Sequence, residues 1–292
     1  MQMRKLLETL LLPFAWICSL FLLGAVFSVL TYLFIRGYQS LDLALVFGTT
    51  DPLEALLFKR RVFDGLFPAI VGTLLLVVLS VCWAIPVGMA TGIYLAEYGT
   101  GKTKRILDLF FDILAGLPSI VIGLSGFALT IFLNRYFSGH IYPCLLVSSI
   151  ALAFLVLPYI IRTTQTALEG VPRTLRLTAL ALGAGKLQNI VHVLLPQALP
   201  GVISGVILAI GRCAEDTAVI MLTGAVASAG MPRSLLSNYE ALPFYIYYIS
   251  SQYMDSEELA TGYGAAIILF CICLLLFSLA FGIRKRFSLY SL

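Results

Sequence analysis

Charge is scarce in this sequence. Asp, Glu, Lys and Arg make up 12% of its 292 residues, against 60% apolar ones. A soluble domain carries about 25% charged residues. Half that share cannot cover a water-soluble globule of this size, and a disordered chain needs low hydrophobicity. Histidine is rarer still: His140 and His192 stand alone in separate segments. No metal-ligand spacing and no nucleophile–base arrangement forms around them. The longest basic run is three residues, which argues against nucleic acid as a partner. A GxxxxGK[ST] phosphate loop is missing. Gly99-Thr100-Gly101-Lys102-Thr103 resembles one only superficially, because its first two glycines are two residues apart rather than five. The six cysteines all fall in apolar segments and read as small packing residues.

What remains is apolar and comes in long blocks. Residues 9–35, 65–96, 113–134, 136–161 and 259–283 contain no Asp, Glu, Lys or Arg. About 20 apolar residues cross the roughly 30 Å hydrocarbon core of a bilayer. The pattern predicts an all-α polytopic membrane protein with six transmembrane helices, over residues 10–35, 67–95, 106–133, 141–161, 199–222 and 260–283. The first block is too long for the apolar region of a cleavable signal and reads as a span.

Orientation follows from the basic residues in the loops. Of 19 Lys and Arg, Arg212 falls inside a span. Six (Arg36, Lys59, Arg60, Arg61, Arg135 and Arg233) fall on one side and twelve on the other. The richer side is cytoplasmic by this rule, which puts both termini inside. Pro86, Pro118 and Pro158 lie within spans, where each removes a helical hydrogen bond and predicts a bend. Gly116-Leu117-Pro118-Ser119 joins a flexible residue, a breaker and a hydroxyl, and Gly116, Pro118 and Ser119 are the candidates for a kink beside a pathway. The outer segment between spans five and six is rich in aromatics, among them Tyr239, Phe244, Tyr245, Tyr247, Tyr248 and Tyr253. They read as an interfacial belt or as a docking face for an external partner.

The fifth span carries the chemistry. Arg212, Glu215 and Asp216 interrupt its apolar run. In a helix that starts near Pro200, Arg212 lies about 18 Å along the axis, near the bilayer midplane. An ionisable group there costs at least about 2.5–3.5 kcal/mol and usually lines a polar path. The i, i+3 and i, i+4 spacings bring all three side chains toward one face of a continuous helix. A guanidinium fork suits an oxyanion. A carboxylate beside it repels a bare anion and accepts a hydrogen bond from a P–OH group, which favours hydrogen phosphate over sulfate. The three charges sum to −1, so a further positive group from a partner subunit is expected.

Between spans four and five, residues 162–196 mix Arg, Lys, Leu and Ala. Apolar residues recur at helical spacing on either side of Gly183–Gly185, which predicts two short amphipathic helices joined by a glycine bend. Leu177-Thr178-Ala179-Leu180-Ala181-Leu182-Gly183, nine residues, then Val193-Leu194-Leu195-Pro196 resembles the EAA loop of ABC importer permeases. The alanine, the glycine and the closing Leu-Pro fall in register, and Leu177 stands where that pattern has Glu. Phe67-Pro68-Ala69-Ile70-Val71-Gly72-Thr73-Leu74, Ile93-Tyr94-Leu95-Ala96-Glu97-Tyr98, Leu114 to Val121, Leu157 to Thr164, and Gly211-Arg212 with Thr217-Ala218 are similar to the PstA-type branch of that family. Where the branch has Gly-Glu-Thr, this chain has Glu215-Asp216-Thr217.

The resemblance implies a type I ABC importer (MetI-like) permease fold with cytoplasmic coupling helices. It divides the chain into an N-terminal transmembrane helix (1–36), an outer loop (37–66) and a core permease domain (67–292) whose coupling loop is 162–196. It implies a non-catalytic subunit in a bacterial or archaeal plasma (inner) membrane, importing phosphate through a pore shared with a PstC-like permease. A PstB-like ATPase dimer would bind ATP and Mg, so no cofactor is expected in this chain, and a PstS-like phosphate-binding protein would dock outside. Substrate-pathway residues are then Arg212, Glu215, Asp216 and Thr217. ATPase-coupling residues are Leu177, Thr178, Ala179, Gly183, Leu195 and Pro196. A permease for another oxyanion, a stand-alone proton-coupled transporter and a non-transporting membrane sensor remain as alternatives.

Overall fold

A computed structural model describes residues 2–52, 54, 65–136 and 142–288. The Lys59-Arg60-Arg61 triplet and His140 lie outside the described residues. Within them the chain is helical: α1 (Gln2–Gly37), α2 (Leu43–Phe47), α3 (Phe67–Ile93), α4 (Gly101–Gly116), α5 (Ser119–Tyr136), α6 (Leu145–Glu169), α7 (Arg173–Ala181), α8 (Lys186–Asn189), α9 (Leu195–Glu215), α10 (Ala218–Thr223), α11 (Leu242–Gln252) and α12 (Ser256–Ser288). Six stretches are long and apolar enough to cross a membrane: Leu11–Ser40, Phe67–Tyr98, Ser119–Tyr136, Leu145–Glu169, Lys186–Glu215 and Ser256–Arg286. Six spans were expected and six are found.

Two of them differ from the expected helices. The third apolar run is not one helix through 106–133. The chain breaks at Leu117-Pro118, and α4 is a separate amphipathic helix with Phe111 as its one buried residue. The fifth run breaks at Asp216-Thr217 and resumes as the short α10. Proline alone does not decide where a helix ends. Pro86 and Pro158 stay inside unbroken α3 and α6. Pro118 breaks the chain because Leu117 before it is driven into extended backbone (φ −69°, ψ 135°).

α6 is the hub. Two Gly-xxx-Gly pairs lie against it, Gly88 and Gly92 on α3 and Gly201 and Gly205 on α9. A β-carbon on Gly88 would sit 2.8 Å from Ile160, one on Gly92 2.7 Å from Thr164, and one on Gly201 2.5 Å from Ala167. In lipid, helices gain no hydrophobic drive to associate, so close packing across small residues holds them together. The shared core of α3, α6 and α9 includes Leu76, Val77, Leu152, Val156, Ile160 and Ala209. In contrast, α1 leaves its apolar residues open and meets mainly α12.

The chain between α10 and α11 folds back onto the core. Val226 N–H donates to the Tyr239 carbonyl (3.0 Å), and the amides of Leu145 and Leu146 donate to Ser237 and Leu235 at 3.1 and 2.8 Å. Leu242 N–H donates to Thr73 Oγ1 at 2.9 Å. These bonds satisfy backbone groups that an apolar setting would leave costly. Tyr239 is wholly buried, whereas Tyr247, Tyr248 and Tyr253 are exposed, so the aromatic segment is not one surface.

Candidate functional site

The charged cluster is built on the break of the fifth span. α9 runs without interruption to Glu215 and then stops, so Arg212 lies in its last turn. Its Nη1 donates to Glu215 Oε1 at 2.6 Å, an i, i+3 ion pair. Asp216 does not join them on one helical face, as a continuous helix would require. Its backbone turns to extended geometry (φ −73°, ψ 126°). Its Oδ1 accepts the N–H of Val219 at 2.8 Å, and Asp216 thereby caps α10. The side chain is 5% exposed. Thr217, between them, accepts the Met221 amide through its carbonyl at 3.0 Å.

The two breaks meet. Ser119, first residue of α5, lies near the Asp216 carboxylate. α5 and α10 approach so closely that a β-carbon on Gly123 would stand 2.9 Å from Val219 Cα. Ser119, Asp216 and Thr217 therefore form one junction, while Gly116 and Pro118 stay exposed beside it. Arg212 and Glu215 form a second group on the open side, with side chains 36% and 61% exposed. Tyr159 on α6 is near enough to interact with the guanidinium. Arg212 Nε is buried with no hydrogen-bond partner. A guanidinium with an unsatisfied donor and a half-exposed fork can accept an oxyanion.

The two short helices and the glycine bend expected within 162–196 are present. α7 ends at Ala181, Gly183 takes φ +85°, and α8 begins at Lys186. A β-carbon at Gly183 would touch nothing within 4 Å, so glycine is required there by its backbone angle and not by crowding. α8 runs through a π-helical turn, Ile190–Leu194, into α9, so the second short helix is the foot of the fifth span. Leu177, Leu180, Leu182 and Leu187 are exposed. Thr178 and Ala179 lie on α7 beside them, whereas Leu195 and Pro196 open α9 and sit away from the bend.

The charges at this end of the bundle pair in ways that no local sequence pattern shows. Arg162, toward the C-terminal end of α6, holds two carboxylates of α4: Asp108 at 2.6 Å and Asp112 at 2.6 Å. Lys104 on α4 pairs with Glu169 at 2.9 Å. Asp108 and Asp112 are spaced i, i+4 on an amphipathic helix, a signal that would have placed both on one face. Arg176 on α7 pairs with Glu97 in the π-helical turn Tyr94–Tyr98 that ends α3.

Known proteins resemble this chain in sequence and in fold. Residues 88–289 match the family described as the binding-protein-dependent transport system inner membrane component. A phosphate transport system permease protein PstA from Pasteurella multocida is 30% identical over 97% of this chain and 96% of its own. The protein of that name from Haemophilus influenzae is 34% identical over 76% of this chain and 77% of its own. Among solved structures, a bacterial alginate ABC transporter aligns with TM-score 0.63 at 13% identity, covering 93% of this chain and 94% of the other. The MetNI methionine transporter in an inward-facing form aligns with TM-score 0.59 at 19% identity, covering 82% and 99%. At such identities the structures speak to the fold alone. The family match, the full-length relatives and the shared fold agree: the chain belongs to the binding-protein-dependent transport system inner membrane components, in the branch of the PstA permeases.

Proposed function

We propose that this chain is one half of the membrane pore of an ATP-driven importer, and that its cargo is inorganic phosphate. The observation that carries the pathway is the Arg212–Glu215 pair at the end of α9, a charged group at a helix break inside an otherwise apolar span. The half-exposed fork binds two oxygens of the anion, and Glu215 accepts a hydrogen bond from its P–OH group. Sulfate at neutral pH has no such proton to offer. The substrate rests on this chemistry together with the names of the full-length PstA relatives. A homologous permease completes the pore and supplies the positive charge that balances the carboxylates.

The energy source is on other chains. The exposed Leu177, Leu180, Leu182 and Leu187 around the Gly183 bend form an apolar knob that fits a groove on a cytoplasmic ATPase. That ATPase holds ATP and Mg. A phosphate-binding protein delivers cargo on the outer side, and both termini lie in the cytoplasm.

The test is uptake of radiolabelled phosphate and sulfate by vesicles holding the complex purified from native membranes. ATP-dependent phosphate uptake should exceed sulfate uptake. Arg212→Ala should lower it about tenfold to a hundredfold, the worth of a charge-assisted contact, while the complex stays assembled. Equal uptake of the two anions would remove the phosphate assignment. Near-normal uptake by Arg212→Ala would remove that residue from the pathway. Uptake that follows the proton gradient without any ATPase would make the chain a stand-alone carrier.

A further inference from the structure

Past Glu169 the coupling loop has no carboxylate of its own. From Gly170 to Ala214 the sequence contains no Asp or Glu, while Arg173, Arg176 and Lys186 leave it cationic. The acid it uses comes from another helix. Arg176 Nη1 donates to Glu97 Oε1 at the end of α3, and its Nη2 donates to the Leu168 carbonyl at the end of α6. Lys186 Nζ donates to the Glu97 carbonyl at 2.6 Å and lies 4.2 Å from the Tyr98 ring centroid. Asn189 Nδ2 donates to the Arg176 carbonyl at 3.2 Å. One guanidinium thus ties the first coupling helix to both core helices, and the second coupling helix closes on the same pair.

The setting is unlike an ordinary surface ion pair, which contributes little. The side chains of Glu97 and Arg176 are 9% and 22% exposed. Beneath them Leu168, Val171, Ile190 and Leu194 pack with Ile93 and Ala96, joining the same helix ends through an apolar contact. Both π-helical turns flank the pair: Tyr94–Tyr98 contains Glu97, and Ile190–Leu194 begins just after Asn189. Such turns loosen the helical ladder and concentrate at functional sites.

We propose that the Glu97–Arg176 pair is the link that carries movement of the coupling loop into α3 and α6. Arg176 is a positioning residue: it touches neither cargo nor nucleotide. Pulling α7 would move the ends of the two helices that pack across Gly88 and Gly92, and so the α6 segment that carries Tyr159 beside Arg212. The inference rests on the importer reading above and adds the residues that join its two halves.

The experiment uses the whole complex in vesicles, with ATP hydrolysis and phosphate uptake measured on the same preparation. Glu97→Ala and Arg176→Ala should each lower phosphate carried per ATP about tenfold, with the ATPase still bound. The double alanine variant should be no worse than either single one, because a broken link cannot be broken twice. Arg176→Lys keeps the charge, loses the second bond and should fall between. Defects that multiply in the double variant, or an unchanged ratio in all three, would overturn the link. So would loss of the ATPase from the complex with a normal ratio in what remains bound.

Hydrogen exchange over residues 94–98 gives a readout independent of cargo. ATP with vanadate should change it in the unaltered complex and not in Arg176→Ala. An equal change in both would overturn the link even if phosphate proved to be the wrong cargo. Absence of ATP-driven phosphate uptake in the unaltered complex would instead count against the functional reading.

Discussion

Two connections of this chain have opposite construction. The one between α10 and α11, outer in the orientation proposed above, turns inward. Ala225, Tyr239, Glu240 and Ala241 are buried, and its amides and carbonyls bond to α6 and to itself. The inner one, between α6 and α9, turns outward. It leaves Leu177, Leu180, Leu182 and Leu187 in the open and is fastened by cationic side chains reaching the ends of α3 and α6. The outer connection is complete as it stands. The inner one exposes an apolar patch that a monomer has no use for, fixed at its base and free at its tip. The difference marks where the molecule is finished and where it expects load.

The largest effect that tests this contrast is at Tyr239. Its side chain is wholly buried in the core that also holds Leu152 and Val156. Tyr239→Ala should cost about 3–5 kcal/mol and lower the melting temperature of the detergent-solubilised complex sharply. The hydroxyl has no hydrogen-bond partner, so Tyr239→Phe should be neutral or stabilising. Leu182→Ser on the inner side should leave the melting temperature within error, because that side chain is 84% exposed. Equal losses at Tyr239 and Leu182 would abolish the distinction.

A middle-sized effect belongs to Gly183. With φ at +85°, a β-branched side chain pays for the left-handed backbone by about 1–2 kcal/mol, whatever the free space around it. Gly183→Val should therefore impair ATP-driven uptake by misdirecting the knob, with little change in global stability. Gly183→Asn, which tolerates that backbone, should retain most uptake. Uptake and ATPase retention measured together separate misdirection from lost docking. Full activity in Gly183→Val would show that the bend bears no load.

Much of this was legible in the sequence. Uncharged blocks located five of the six spans, because lipid demands them, and the remaining one showed as an apolar run interrupted by Arg212, Glu215 and Asp216. The Gly183 bend was legible from apolar residues recurring on either side of a glycine pair. The breaks were harder. Residues 106–133 and 199–222 read as single runs since hydropathy does not register a helix that stops and restarts within apolar surroundings. At Leu117-Pro118 the proline gave notice. At Asp216-Thr217 the i, i+4 spacing to Arg212 suggested a continuous face, yet Asp before an apolar run is equally a cap signature, and here Asp216 serves α10. The ion pairs from α4 to α6 and from α7 to the turn that ends α3 join residues 50 to 79 positions apart, a distance no local pattern can bridge.

The smallest effect concerns Glu240, the acid of the inward-turned connection. It accepts the Gly230 N–H at 2.6 Å and is 7% exposed. Burial raises its carboxyl above the usual range, and the Gly230 bond opposes that only in part. The folded chain therefore holds this proton to higher pH than the unfolded chain, whose glutamate titrates near about 4.3. The resulting stability is fully present below that value and is lost as pH rises through the folded value. Glu240→Gln keeps an oxygen for Gly230 and removes the titration. Thermal melts of the complex from acid to neutral pH should fall less steeply in the variant than in the unaltered protein. Parallel slopes in the two would mean that the outer connection, for all its burial, stays wet enough to hold Glu240 as a carboxylate.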